Sequence, residues 1–206
     1  MATIDHLFDS GRGRLGNLVF YKMKGRNIVR TKPGHFTDRK SPAQLAQRQR
    51  MQAINNFLKP FSKLLGLTFD PESERLTARQ AAQSYNMRNA LAGEYPNIYA
   101  DKGRALLSRG PLPVPVRAWM EVVPEGLLVQ WENGEEAAGS AANDTLLVMA
   151  LFPGHSSCMY QFSEARRTAG QYLWRIQPAV QENAFPGVWI AFSNRLQMSN
   201  SVYVNM

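Results

Sequence analysis

The sequence has one cysteine, no long apolar run and few acidic residues in its first third. Cys158 has no partner for an internal disulfide, which fits a reducing compartment or a domain large enough to fold without a covalent cross-link. No stretch approaches the roughly 18 uninterrupted apolar residues of a membrane-spanning helix, and residues 1–16 lack the apolar core of a signal peptide. We therefore expect no signal peptide, no membrane partner, and a location in the cytoplasm or in a virion.

Reactive side chains are also sparse. The histidines His6, His35 and His155 stand apart, without metal-ligand spacing. Cys158 lies close to His155, but the preceding Pro153-Gly154 indicates a connecting loop. The acidic pairs lie in polar, turn-rich stretches where carboxylates are usually solvated, namely Glu72/Glu74 and Glu135/Glu136. We predict no catalytic residue, no metal site, no cofactor and no small-molecule substrate, and thus a protein that is not an enzyme.

Gly11 to Gly16 match the G-x-G-x-x-G pattern of nucleotide-binding loops. A dinucleotide site needs a strand before this pattern and a helix after it, whereas the residues that follow favour a strand. A protein kinase is excluded because the chain is too short and lacks H-R-D and D-F-G sequences. The pattern therefore predicts a flexible or turn-forming entry to the next strand.

The net charge of +8 is concentrated near the start of the chain. Residues 1–66 contain 13 lysines and arginines against three aspartates and glutamates, whereas residues 111–206 contain five against eight. Such asymmetry indicates either an anionic partner for the basic part or a solvated basic face. The charge alone leaves both interpretations open.

The first half of the chain predicts a β-hairpin followed by helices. β-Forming residues over 15–23 and 26–31 flank a turn at Lys24-Gly25. Ser41-Pro42 then predicts the start of a helix, whose apolar residues recur at three- and four-residue steps from Met51 to Leu65 and which Pro60 must kink or divide. A capping box at residues 77–80 predicts a second helix that stops at Gly93.

The second half predicts a β-sandwich. Alternate prolines over 111–115 mark a domain boundary, and Trp131 is expected in the core. Seven short β-rich runs with regular turn signals follow, at residues 116–122, 127–131, 145–152, 159–162, 171–176, 188–192 and 201–204. The predicted fold is mixed: an N-terminal α+β module over 1–110, with a β-hairpin plus helices, and an all-β immunoglobulin- or fibronectin-III-like sandwich over 111–206.

Basic side chains are the strongest candidates for contact with another macromolecule. Lysine and arginine neutralise phosphates while aromatic faces stack on bases, so a basic run interleaved with aromatics is compatible with nucleic acid. Phe20 and Tyr21 cannot both face a ligand, because strand residues alternate sides. The predicted contact residues are Arg12, Arg14, Lys22, Lys24, Arg26, Arg30, Lys32, Arg48, Lys59 and Lys63.

Several motifs resemble an uncharacterised bacterial family catalogued as a domain of unknown function. The motifs cover nearly the whole chain, including residues 15–33 with the pattern GNxVxYKxKGxxxxRxKP, residues 41–48, 84–90, 94–97, 108–113 and 142–144, and the final SNSVYV of residues 199–204. The resemblance implies a shared architecture and brings no activity, cofactor or catalytic residue. Members look like assembly or binding proteins, some encoded by phages or mobile elements.

Taken together, these patterns lead us to expect a non-enzymatic structural or interaction protein, with a virion component of a phage or mobile element as one form of that role. Its partner would be another protein or further copies of the chain. The alternative is a nucleic-acid-binding protein that uses the same basic N-terminal face.

Overall fold

The computed structural model describes residues 2–3, 12–23, 25–34, 38–70, 76–135, 142–152, 156–176, 187–194 and 196–204. Over these ranges the fold is mixed, with three helices and several antiparallel sheets, as predicted. The chain divides into two compact units, residues 1–41 and residues 42–206. This division falls after Ser41, whereas the sequence led us to expect a boundary near residue 110.

The first unit is a four-stranded antiparallel sheet in the order β1-β4-β3-β2. The predicted hairpin is confirmed by β3 and β4, with Gly25 in the turn at a φ of 79° that favours glycine. The predicted first strand is interrupted by a turn at Gly16 and Asn17, which creates the additional strand β2. The strands are β1 (Ala2–Thr3), β2 (Gly13–Leu15), β3 (Leu18–Met23) and β4 (Arg26–Thr31).

The second unit begins with α1 (Pro42–Leu58), α2 (Ser62–Thr68) and α3 (Ala78–Asn89). Pro60 separates α1 from α2, as predicted, because it has no N–H to continue the helical bonding. The predicted capping box is present: Thr77 Oγ1 accepts from the Gln80 amide, and the Gln80 side chain accepts from the Thr77 amide. Within the described ranges, no helix has the length and apolar character needed to cross a membrane.

The predicted stop of α3 at Gly93 was wrong. The helix ends at Asn89, and the chain continues directly into the two-stranded hairpin of β5 (Leu91–Ala92) and β6 (Tyr99–Ala100). Gly93 lies in that hairpin at a φ of 79°, where an added Cβ would overlap the carbonyl oxygen of Asn97. The glycine is therefore needed for the turn and not for the helix end.

The remaining seven strands form two antiparallel sheets, and each strand overlaps one of the seven predicted runs. A three-stranded sheet has the order β11-β8-β7, and a four-stranded sheet has the order β10-β9-β12-β13. The strands are β7 (Arg117–Val123), β8 (Gly126–Glu132), β9 (Thr145–Leu151), β10 (Met159–Arg166), β11 (Gln171–Arg175), β12 (Gly187–Ser193) and β13 (Val202–Val204).

Two apolar cores lie on opposite sides of the four-stranded sheet. Side chains alternate along a strand, so Val148 of β9 faces the three-stranded sheet, whereas Met149 faces the helices. In the same way, Ile190 of β12 joins the first core and Trp189 the second. Trp131 lies in the first core, as predicted. The second unit therefore has three layers, and its helices share a core with strands β9 and β12.

Candidate macromolecule-binding surface

The pairing register of the N-terminal sheet sorts its side chains onto two faces. Directly paired residues share a face in an antiparallel sheet. Arg14 pairs with Val19, which pairs with Arg30, so two arginines on separate strands flank one valine. Met23 pairs with Arg26, and odd-numbered residues of β3 point the same way. We name this surface the arginine face; it carries Arg14, Val19, Tyr21, Met23, Arg26, Ile28 and Arg30.

The three arginines of this face are exposed. The guanidinium carbon of Arg30 lies 5.7 Å from the centroid of the Tyr21 ring, a distance typical of a cation–π contact. Arg14 Nε donates a 2.9 Å hydrogen bond to the Gly16 carbonyl, which directs that side chain across the adjacent turn. The face therefore displays three positive charges, one of which lies over an aromatic ring.

The opposite face of the same sheet is mainly apolar. Leu15 pairs with Leu18, and Phe20 pairs with Val29, so these four side chains lie together; we name them the apolar face. Leu15 is 70% exposed. Phe20 and Tyr21 consequently lie on opposite sides, as alternation requires, and it is Tyr21 that accompanies the arginines.

The other predicted contact residues lie outside the arginine face. Lys22 is on the apolar side, paired with Asn27. Arg12 and Lys32 are exposed just beyond the ends of β2 and β4, and Lys24 lies outside the described residues. In the second unit, the exposed predicted residues are Arg48, Lys59 and Lys63.

Arg48 lies on the solvent side of α1 and Lys63 on that of α2, and Lys59 is exposed between the two helices. Ile54 and Leu58 are buried on the other side. Lys59 and Lys63 stand on either side of the Pro60 break. Met51, which the same period placed on the apolar side, is 41% exposed, because the buried part of the helix begins further along the chain.

A set of buried polar residues within the second unit was not recognised from the sequence. Ser108 Oγ donates to the Ser199 carbonyl at 2.7 Å, and the Leu107 amide donates to Ser201 Oγ at 2.9 Å. The Asn86 side chain accepts from the Leu106 amide at 2.9 Å and donates to the Leu106 carbonyl at 2.9 Å. These bonds join α3, the chain over 105–112 and the β12–β13 hairpin, so the motif residues of 84–90, 108–113 and 199–204 stabilise the fold.

An open groove of about 320 Å³ lies beside this polar set. Its wall includes the charged side chains of Asp70 and Arg109 together with Leu67 and Leu196. Leu196 is 92% exposed at the loop between β12 and β13, and the Arg109 guanidinium lies 5.5 Å from the Tyr85 ring centroid. The groove thus combines charge with uncovered apolar surface on a connecting loop.

A buried ion pair connects the two sheets of the second unit. Arg167 Nη2 lies 3.2 Å from Asp144 Oδ2 and donates to the Pro113 carbonyl at 2.9 Å. Its guanidinium carbon lies 3.9 Å from the Phe192 ring centroid. Burial lowers the pKa of Arg167, and the hydrogen bond and charge of Asp144 partly offset that effect. Trp131 Nε1 donates to the Arg167 carbonyl at 2.8 Å, so this cluster holds the connecting segments in place.

Few of the reactive groups considered from the sequence fall within the described ranges. His6, His35 and His155 lie outside them, as do Glu72, Glu74 and Glu136. Cys158 is half-buried, and burial raises the pKa of its thiol. Among the described side chains, no three histidines, cysteines, aspartates or glutamates gather as a metal site would require.

Comparison with known proteins places the chain in a family. A search of curated proteins found no match, and a search of solved structures found none. The family model described as "Family of unknown function (DUF6266)" matches residues 10–205. The match covers most of both compact units. The chain therefore belongs to this family of unknown function.

Proposed function

We propose that this protein is a non-enzymatic interaction protein that assembles with other macromolecules through its N-terminal sheet. One observation carries the proposal: among the described side chains of residues 12–34, only Ile28 is buried. A sheet ordinarily buries one face against another layer. This sheet instead leaves arginines exposed on one face and leucines on the other.

The free-energy cost of ordering the N-terminal sheet supports a docking role. Fixing the backbone of each residue costs roughly 1–2 kcal/mol, and the burial of apolar side chains ordinarily offsets that cost. The N-terminal sheet buries little, so contact with a partner would supply stabilisation that its own described residues do not. Leu15 and Leu18 offer apolar area for such a contact, and the arginines offer charge.

We further propose that strands β7 to β13 form a fibronectin-III-like sandwich. The first, second and fifth strands make one sheet, and the third, fourth, sixth and seventh make the other. An arrangement of seven short antiparallel strands in two sheets around one core is typical of immunoglobulin-like modules. Such modules hold their connecting loops rigidly. The exposed Leu196, in the loop between β12 and β13, is therefore well placed to contact a partner.

The assembly proposal is tested by sedimentation velocity, from dilute protein up to the solubility limit. We expect the mean mass to rise with concentration, and Leu18→Glu to lower that association. Leu76→Glu is the matched control, because Leu76 is a leucine of the other unit that is 40% exposed, close to the 39% of Leu18. A strict monomer at the highest concentration would count against assembly with further copies of the chain. Assembly with a different protein would then be the remaining form of the proposal.

Association with a virion is a narrower form of this proposal, and the gene neighbourhood tests it. Neighbouring capsid or tail genes would support it. A consistent position among genes of metabolic enzymes would count against it.

A second candidate function is nucleic-acid binding, favoured by the three arginines and the tyrosine on one face. If all three arginines contact phosphates, the logarithm of affinity should fall with the logarithm of salt concentration at a slope of about −2 for a single strand. Arg26→Glu combined with Arg30→Glu should abolish binding, whereas Arg175→Glu on the exposed surface of β11 should not. Absence of binding at low salt would remove this candidate.

A further inference from the structure

We infer that the arginine face binds single-stranded rather than duplex nucleic acid, with an unpaired base stacked on the Arg30–Tyr21 pair. This inference rests on the second candidate function and specifies its ligand. It is carried by the way the register of β2, β3 and β4 gathers the arginines and Tyr21 on one face.

The spacing of the arginines matches one short stretch of a nucleic-acid backbone. Arg14 and Arg30 occupy the two strands on either side of β3, opposite Val19. Neighbouring strands lie about 4.8 Å apart, so the backbones at these two arginines are about 10 Å apart. Both side chains are long enough to reach phosphates of the same short segment. Arg26 is the third arginine of this face, four residues from Arg30 on β4 with the buried Ile28 between them.

The stacking position is already assembled. The Arg30 guanidinium lies over the Tyr21 ring at 5.7 Å, and Arg30 itself is exposed. A planar guanidinium held over a ring can accept a base on its other side, as in many contacts with unpaired RNA. The neutral side chains of Val19, between Arg14 and Arg30, and of the exposed Met23, opposite Arg26, suit the flat apolar surface of a base better than a phosphate.

The width of the sheet argues against base contacts in the major groove of a duplex. In a four-stranded sheet the axes of the two outer strands lie about 14 Å apart, without counting the side chains. The major groove of B-DNA is about 12 Å wide and admits a helix or a two-stranded ribbon. A duplex can therefore contact this face only along its outer phosphates, where its bases remain paired and unable to stack on Arg30.

The test measures fluorescence anisotropy with labelled oligothymidylate and oligouridylate of about 15 nucleotides, a length within the usual site size of small single-strand-binding folds. A duplex of the same length and polyglutamate serve as competitors at one fixed salt concentration. We expect the single strands to bind at least about tenfold more tightly than the duplex, which corresponds to the loss of one stacked base.

Four variants separate charge from stacking. Tyr21→Leu should weaken single-strand binding about tenfold and leave duplex binding unchanged, since stacking contributes only with unpaired bases. Tyr21→Phe keeps the ring and should bind like wild type. Arg30→Lys keeps the charge without the plane and should weaken single-strand binding while preserving the salt dependence. Lys22→Glu, on the apolar side of the same sheet, is the control and should retain most of the affinity.

Each result has a defined meaning. Equal affinity for single strand and duplex, with no effect of Tyr21→Leu on either, would overturn the inference and leave nucleic-acid binding standing. No binding of any oligonucleotide at low salt would remove both. Competition by polyglutamate as effective as that of the single strands would assign the face to an acidic protein surface and would also overturn the inference. Circular dichroism of each variant verifies that lost binding does not reflect lost folding.

Discussion

At the scale of single residues, two glycines of the second unit should respond in opposite ways to the same change. Gly110 lies where the chain over 109–112 crosses the β12–β13 hairpin, and a Cβ there would overlap the Met198 carbonyl oxygen. Gly110→Ala should therefore destabilise the protein by about 1–3 kcal/mol, as other overpacked sites do. Gly66 lies inside α2 with nothing near its added Cβ, so Gly66→Ala should stabilise by about 0.5–1 kcal/mol.

Urea unfolding of the two glycine variants provides the measurement, because both report on the same unit. Equal unfolding midpoints for Gly110→Ala and wild type would show that the hairpin moves away at little cost. The close backbone approach would then not constrain residue 110.

The buried pair of Arg167 and Asp144 makes a second prediction at this scale. The Nε and Nη1 atoms of Arg167 have no hydrogen-bond partner among the described residues, so its charge depends heavily on Asp144. Asp144→Ala should lower the free energy of unfolding by about 3–5 kcal/mol, since it leaves a buried charge without its partner. Arg167→Met combined with Asp144→Ala should recover part of that loss, because no buried charge remains.

A double-mutant cycle in urea checks the ion-pair prediction. If Asp144→Ala alone leaves the unfolding midpoint unchanged, the guanidinium must find water or another partner without cost. The stabilising role assigned to the pair would then be wrong.

At the scale of elements, local sequence signals predicted most helices and strands. Turn residues separate the short β-rich runs of the second half, and every strand from β7 to β13 overlaps its predicted run. Pro60 and the Thr77–Gln80 capping box act within a few residues of where they occur. Such features depend on neighbours along the chain, so the sequence is sufficient to locate them.

The third layer of the second unit depends on distant residues and was missed. Residues 145–152 and 188–192 are apolar at nearly every position, which indicates strands covered on both faces. In the structure, α1 and α2 pack on the second face of the sheet that contains these strands. That signal was available in the sequence, but the alternate prolines over 111–115 favoured a boundary that separated the helices from the sheet.

The candidate site was predicted in composition but not in arrangement. Exposure of the arginines follows from their charge. Which basic side chains share a face depends on the turn at Gly16 and Asn17 and on the register of β2 with β3. A slip of one residue would move every side chain to the other face, so the placement of Tyr21 beside Arg30 could not be derived from spacing alone.

At the scale of the whole molecule, the two units differ greatly in how much they bury. Residues 146–150 of β9 and 188–192 of β12 are completely buried, whereas Ile28 is the one buried side chain described within residues 12–34. Free energies of local opening range from near zero up to that of global unfolding. The first unit should therefore open far more readily than the second.

Hydrogen exchange on the free protein tests this difference between the units. Amides of β3 and β4 should exchange at least about 100-fold faster than those of β9 and β12, because opening the N-terminal sheet exposes little apolar surface. Saturating single-stranded oligonucleotide should slow exchange in β3 and β4 and leave β9 and β12 unchanged, since a ligand stabilises the state that it binds. Equal protection of both units without a ligand would show that the N-terminal sheet is stable by itself, and its proposed dependence on a partner would fail.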